Sequence, residues 1–340
     1  MSSNRRWKVR PEGSNWGEFG DDDELGRLNL ITPAAVRRGA AEIHRGISFC
    51  LSLPLDLPGG SDLSPLRRPP VLAPVATRRA FIFNHPLTGG NPDHTDVVCD
   101  DAVHLYTQYS TQWDALSHVS SLFDADGDGI PEIVYYNGFR AGIDIISPAD
   151  ERSGQPGAGK LGIEKMAEKA IQSRGIFVDL AAKYGRRRQF VGFEELMQAL
   201  GGQAIEQGDI LCLYSGFADL IVEMAGKPNM EILEKSCAVL DGRDVRLQNW
   251  IAASGLAAIV ADNYAVEGIP ARFPLDGRHP AWPLHELCLV KLGLPLGELW
   301  YFEQLAVWLR AERRNRFFLT APPLRLPHAV GSPLTPVATV

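Results

Sequence analysis

Short apolar runs of strand length alternate with stretches of helical spacing along much of this chain. Residues 175–180, 208–216 and 257–262 are continuous apolar segments bounded by turn residues. That is the pattern of strands buried on both faces. Helical spacing predicts helices over 160–174, 193–200, 245–254 and 283–292, with a further one over 299–308. Thr32 and Pro33 place a capping hydroxyl before a proline at the first helical position. They predict a helix running to about residue 45. Residues 47–57, 81–83 and 317–319 read as strands. Segments 58–80 and 84–100, rich in Pro, Gly, Asn and Asp, read as loops. From Ala321 the chain is Pro-rich and reads as an extended tail.

Strands alternating with helices argue for an α/β fold. No internal repeat, low-complexity segment or linker composition divides the chain. The expectation is one domain over 1–340, with an N-terminal arm and helix over 1–45 and a tail over 321–340. At 340 residues and 45% hydrophobic, such a domain can bury a large core.

Charge narrows the partners. The net charge of −7 gives no footprint for nucleic acid or an anionic membrane. The run Arg186-Arg187-Arg188 reads as a solvated face. No uncharged apolar run approaches a bilayer span of about 20 residues, and the first residues carry no secretory pattern. Cys50, Cys99, Cys212, Cys237 and Cys288 are scattered and odd in number. A disulfide framework is therefore not expected, and a reducing cytoplasm is. Cys212 and Cys288 sit in apolar runs and read as packing.

The densest chemistry lies in Gln108-Tyr-Ser-Thr-Gln112-Trp113-Asp114-Ala-Leu-Ser-His118. Two carboxamides, a carboxylate and an imidazole fall within eleven residues. Asp114 lies between Trp113 and Ala115, where a charge needs a cation, donors or a proton. The segment reads as a strand passing into a helix. Once the helix has begun, Asp114 and His118 share a face, and His118 can serve as acid or base. The alternative is a helix cap at Asp114 with His118 packed beneath it. His285 and Glu298 form a second candidate pair. Alone they read equally as a histidine at a helix start and a solvated glutamate.

Asp124, Asp126 and Asp128, with Gly129, copy the first half of a calcium loop, so a structural calcium is a candidate. The twelfth position, where a bidentate glutamate belongs, is Tyr135. A plain Asp/Gly turn is the other reading. Ser215 precedes Gly216 and makes no GxSxG elbow, which argues against a serine hydrolase. Trp113, Tyr136, Phe139 and Trp282 could line a ring-accepting pocket or could equally be core.

The focal run resembles the pattern HxGTHxDxPxH of the cyclase family that contains bacterial kynurenine formamidase and isatin hydrolase. Asp114 and His118 fall on the pattern. Gln108 and Gln112 stand where the family has two histidines, in a Thr-Gln-Trp-Asp form. The likeness covers nearly the whole chain. It includes Trp16-Gly17, Leu25-Gly26, Asn29-Leu30-Ile31-Thr32-Pro33, Tyr136-Asn137-Gly138, Gly208-Asp209-Ile210-Leu211, Ala261-Asp262-Asn263, Ala265-Val266-Glu267, Pro322 to Pro327 and Gly331-Ser332-Pro333. The resemblance implies the swivelling β/β/α arrangement around a central mixed sheet, in a homodimer or homotetramer. It implies Asp114, His285 and Glu298 as ligands of a divalent metal, with Gln108 and Gln112 beside them, and His118 as the proton-transfer group.

Carboxamide oxygens are weaker, harder donors than imidazole. The set therefore points to Mn²⁺ or Mg²⁺ rather than tight Zn²⁺, or to no metal at all. The activity implied is hydrolysis of a small amide, cyclic amide or lactone. The alternatives are a metal-free cyclase, lyase or isomerase using His118 with an Asp114–Glu298 pair, and a binding protein on the same fold.

Overall fold

Alternation along the apolar runs sends their side chains to two opposite faces. In the computed structural model, which describes residues 5–78, 80–150, 156–273 and 275–340, nine strands form one mixed sheet. Residues 1–4 of the expected arm and Arg79 of the expected loop lie outside the described residues. Numbered within this sheet, the strands are β1 (Ser48–Cys50), β2 (Gln112–Asp114), β3 (Gln172–Asp179), β4 (Ile210–Tyr214), β5 (Ala258–Ala261), β6 (Leu296–Glu298), β7 (Arg316–Thr320), β8 (Gly331–Pro333) and β9 (Val337–Thr339). Their order is β1-β9-β7-β3-β4-β5-β6-β2-β8. β3 to β6 are parallel, and β2 runs antiparallel to both β6 and β8.

The parallel strands are buried on both faces, which explains their unbroken apolar runs. Ile176, Val178, Leu211, Leu213, Ile259 and Leu296 pack with Leu196 and Leu200 of helix Phe193–Leu200, Leu247 and Ile251 of helix Val245–Ala253, and Leu284 and Leu287. Phe177, Ile210, Cys212, Ala258 and Val260 face the other way. They meet Ile163 and Met166 of helix Ile163–Lys169, and Leu305 and Leu309 of helix Glu303–Glu312. The α/β class with one central mixed sheet matches the expectation.

Helix Pro33–Ala40 begins as the sequence predicts, with Thr32 Oγ1 accepting from the Ala35 amide. Other boundaries moved. The helix predicted over 160–174 stops at Lys169, where Ala170 turns left-handed, and β3 starts at Gln172. The helix predicted over 283–292 is a turn at Pro283–His285 that widens into a π-helix over Glu286–Lys291. The one predicted over 299–308 runs instead over Glu303–Glu312. The strand predicted over 47–57 shrinks to Ser48–Cys50, and Phe81 makes only an isolated bridge to Ala76.

The expected loops contribute to a two-stranded arm, Val71–Pro74 on Asp101–His104, just past the second loop, and His85–Pro86 on Val97–Val98. It is exposed on both sides, so its sequence lacks the usual alternation. The expected tail supplies β8 and β9; Pro333 is accommodated because β8 is a sheet edge. Cys212 and Cys288 are buried, as expected. Among the described residues, no helix is long and apolar enough to cross a membrane.

Candidate functional site

Strand register builds the site. Glu298 on β6 stands directly opposite Gln112 on β2, and Asp114 is opposite Leu296. Cross-strand partners share a face, and so do positions two apart on a strand. Gln112, Asp114 and Glu298 therefore point to the same side. Trp113 points to the other, where it packs on Trp300 and donates to the Ala321 carbonyl. The segment Pro283–His285 delivers His285 to the carboxylate side.

Asp114, Gln112, Glu298 and His285 are almost wholly buried. The Gln112 amide nitrogen donates to Asp114 Oδ1 at 3.2 Å and to Glu298 Oε2 at 3.1 Å. His285 Nε2 lies 3.3 Å from Glu298 Oε1. Asp114, His285 and Glu298 each offer a ligand atom within 4.8 Å of the others. Two buried oxygens here, Gln112 Oε1 and Asp114 Oδ2, have no hydrogen-bond partner among the described residues. An orphaned buried acceptor costs about 1–3 kcal/mol, so both oxygens can take a hydrogen-bond donor or a cation.

His118 is reached without a helix. β2 ends at Asp114 and a turn follows, with the His118 amide donating to the Ala115 carbonyl at 2.9 Å. This corrects the strand-into-helix expectation. His118 Nε2 lies 3.7 Å from Asp114 Oδ1, and the His118 side chain keeps 18% of its surface exposed, enough to meet a ligand. Gln108 was grouped with Gln112 as a metal ligand. The structure separates them: the Gln108 amide nitrogen is 3.5 Å from His118 Nδ1 and holds no carboxylate. It lies over Gly331, where any Cβ would come within 2.4 Å of it.

Glu267 was not singled out as a site residue. It is fully buried, and its Oε1 accepts from His285 Nδ1 at 2.8 Å and from the Leu284 and His285 amides at 3.0 Å each. This fixes the ring and turns Nε2 toward Glu298. A lone glutamate carries no sequence signal for such a role; only its place in Ala265-Val266-Glu267 hinted at it.

Electrostatics follow from burial. Desolvation raises the Asp114 carboxyl above its usual range, and the Glu298 charge adds to this against the pull of His118. Burial works against Glu298 ionising too. There the hydrogen bond and charge of His285 prevail and hold it below the usual range. His285 is also opposed by burial, yet Glu267 and Glu298 push it up to about 10.

Of the four aromatic candidates, Trp282 alone is exposed. It is 42% exposed, with its ring 5.4 Å from that of His285. Trp113 is core on the opposite face. Tyr136 is buried with its hydroxyl on Asp23, and Phe139 is buried beneath Arg6. These three are corrected to packing residues. The Asp124, Asp126 and Asp128 carboxylates do approach one another. However, Asp124 accepts from the Gly127, Asp128 and Gly129 amides, and Arg140 pairs with Asp126 and with Glu132. The loop's own donors satisfy much of this acidic cluster, as in a plain Asp/Gly turn.

Residues 51–268 match the profile of the family described as Putative cyclase, and the chain belongs to that family. Glu298 and His285 lie beyond the matched span. A crystal structure described as that of a novel cyclase is 30% identical, covers 98% of this chain and 100% of its own, and superposes with a TM-score of 0.74. Isatin hydrolase A from Ralstonia solanacearum is 15% identical over 90% of this chain and 97% of its own, with a TM-score of 0.53. Isatin hydrolase A from Labrenzia aggregata, bound to benzyl benzoate, is 14% identical over 88% of this chain and 95% of its own, also at 0.53. The last two share the fold. No curated protein matches the chain.

Proposed function

We propose that this chain is a hydrolase that opens the carbon–nitrogen bond of a small amide or cyclic amide, or the ester bond of a lactone. The observation that carries the reading is the meeting of Asp114, Glu298 and His285 beside the part-exposed His118. The two orphaned oxygens favour a cation: Asp114 Oδ2 has no hydrogen-bond partner among the described residues, and Gln112 needs only to turn its amide to offer Oε1. Asp114, Glu298 and His285 Nε2 would hold the ion, with Gln112 as the fourth protein donor. Two carboxylates, one imidazole and one carboxamide suit Mn²⁺ or Mg²⁺ better than Zn²⁺. A divalent cation supplies Lewis-acid polarisation of a carbonyl and a water of lowered pKa.

The chain's own groups handle the proton. The Gln108 amide nitrogen lies 3.5 Å from His118 Nδ1, and His118 Nε2 faces Asp114. His118 takes a proton from the attacking water and passes it to the departing amine or alkoxide. Asp114, 3.7 Å away, orients the ring and stabilises its charged form. Trp282 offers an exposed ring face next to His285.

One observation favours a second reading. The Gln112 amide nitrogen already bridges the carboxylates, which satisfies a metal-free acid/base site catalysing cyclisation, elimination or isomerisation. The test is metal content of protein purified without added ions, with turnover on a panel of amides, cyclic amides and lactones before and after chelation. The hydrolase reading expects a stoichiometric ion and turnover lost to chelator and regained with Mn²⁺. Turnover indifferent to chelator supports the second reading, and no turnover on any member sinks the first.

A further inference from the structure

One guanidinium beside the site forms no close ion pair among the described residues. Among the described residues the Arg67 side chain makes a single hydrogen bond, from Nη1 to the Gln108 carbonyl, and no ion pair. It is partly buried, and it lines a narrow slot with Ser64, Tyr109, Tyr264 and Leu299. The slot encloses about 10 Å³, room for roughly one water. Leu299 follows Glu298 in the chain, and Tyr264 lies three residues beyond β5. The slot therefore opens at the carboxyl ends of β5 and β6, where open α/β sheets take their ligands. The Arg67 charge is felt by both Asp114 and Glu298. The Tyr264 phenol is held neutral chiefly by burial and stays a hydrogen-bond donor.

We propose that Arg67, with the Tyr264 hydroxyl, forms a subsite that takes one oxygen of a carboxylate into the slot while the rest of the ligand stays outside it. A planar guanidinium fork matches a carboxylate in shape and charge. Two sources offer that group: a carboxylate carried by the substrate, or the one formed when an amide or lactone opens. In the second case water adds across the bond, its oxygen stays on the carbonyl carbon and the amine or alcohol leaves with a proton. A neutral carbonyl thereby becomes an anion facing Arg67. That second source rests on the hydrolase reading; the subsite itself does not.

The test is a titration of the full-length protein with propionate and with its neutral isostere propionamide, followed by NMR, for wild type, Arg67→Met and Arg67→Lys. Wild type should prefer propionate by about tenfold, and added salt should shrink the preference. Arg67→Met should abolish it and Arg67→Lys should keep part of it. If Arg67→Met does not fold, the wild-type preference and Arg67→Lys still decide. Equal affinity for the two probes in wild type, or an undiminished preference in Arg67→Met, overturns the proposal. Binding needs no turnover, so a failed hydrolase reading leaves this result legible. Where turnover exists, a KM raised by Arg67→Lys for carboxylate-bearing substrates alone identifies the substrate as the source. A change confined to product inhibition identifies the product.

Discussion

Gln112 and Glu298 face each other across antiparallel strands, and the Gln112 amide nitrogen sits 3.1 Å from Glu298 Oε2 and 3.2 Å from Asp114 Oδ1. A neutral donor thus lies between two buried carboxylates. Replacing it with an imidazole changes the donor from hard to borderline. Gln112→His should raise zinc affinity by about tenfold or more, roughly 1.4 kcal/mol. Gln108→His should change it far less, because Gln108 faces His118. Competition with a chromogenic chelator reads both; equal gains from the two variants would contradict the separation of their roles.

His118 holds its neighbours only at 3.5 and 3.7 Å. His118→Ala should therefore leave melting nearly unchanged while turnover falls by about 10²–10⁴-fold. Loss of soluble protein would show that His118 is packing after all.

Glu267 acts on His285 through its Nδ1 and both adjoining amides. Glu267→Gln should weaken manganese binding by about 10–100-fold and lower stability by about 1–3 kcal/mol. Calorimetric titration beside thermal melting checks this. Unaltered manganese affinity in a destabilised variant would reduce Glu267 to a structural residue.

His285 has a folded value of about 10 against a usual 6.5. The folded protein binds this proton more tightly than the unfolded chain. The stabilisation is therefore full below pH 6.5 and disappears as pH rises towards 10. A bound cation needs the neutral ring and gains over the same interval. Chelated protein should melt at progressively lower temperature from pH 6.5 to 10, and manganese should widen its stabilising effect. Parallel melting curves with and without manganese at every pH would remove His285 from the ligand set.

Asp114, His118, His285 and Glu298 were legible because the family likeness marks them, and the parallel core was legible because β3 to β5 are unbroken apolar runs. The pairing of Glu298 with Gln112 was not, since no local pattern records which strands meet. Trp113 was misplaced although strand alternation alone sets it opposite Gln112 and Asp114. The arm over 71–104 is exposed on both sides, and β8 and β9 hide in a Pro-rich tail. Neither presents the apolar rhythm from which strands are read. Glu267 is a single acid whose role exists only in three dimensions.

The most direct measurement is anomalous diffraction from crystals of the full chain equilibrated with Mn²⁺. The account predicts one strong peak within bonding distance of Asp114, Glu298 and His285 Nε2, with the Gln112 amide turned to present its oxygen. No peak at this position, with the Gln112 nitrogen still bridging the two carboxylates, would contradict it.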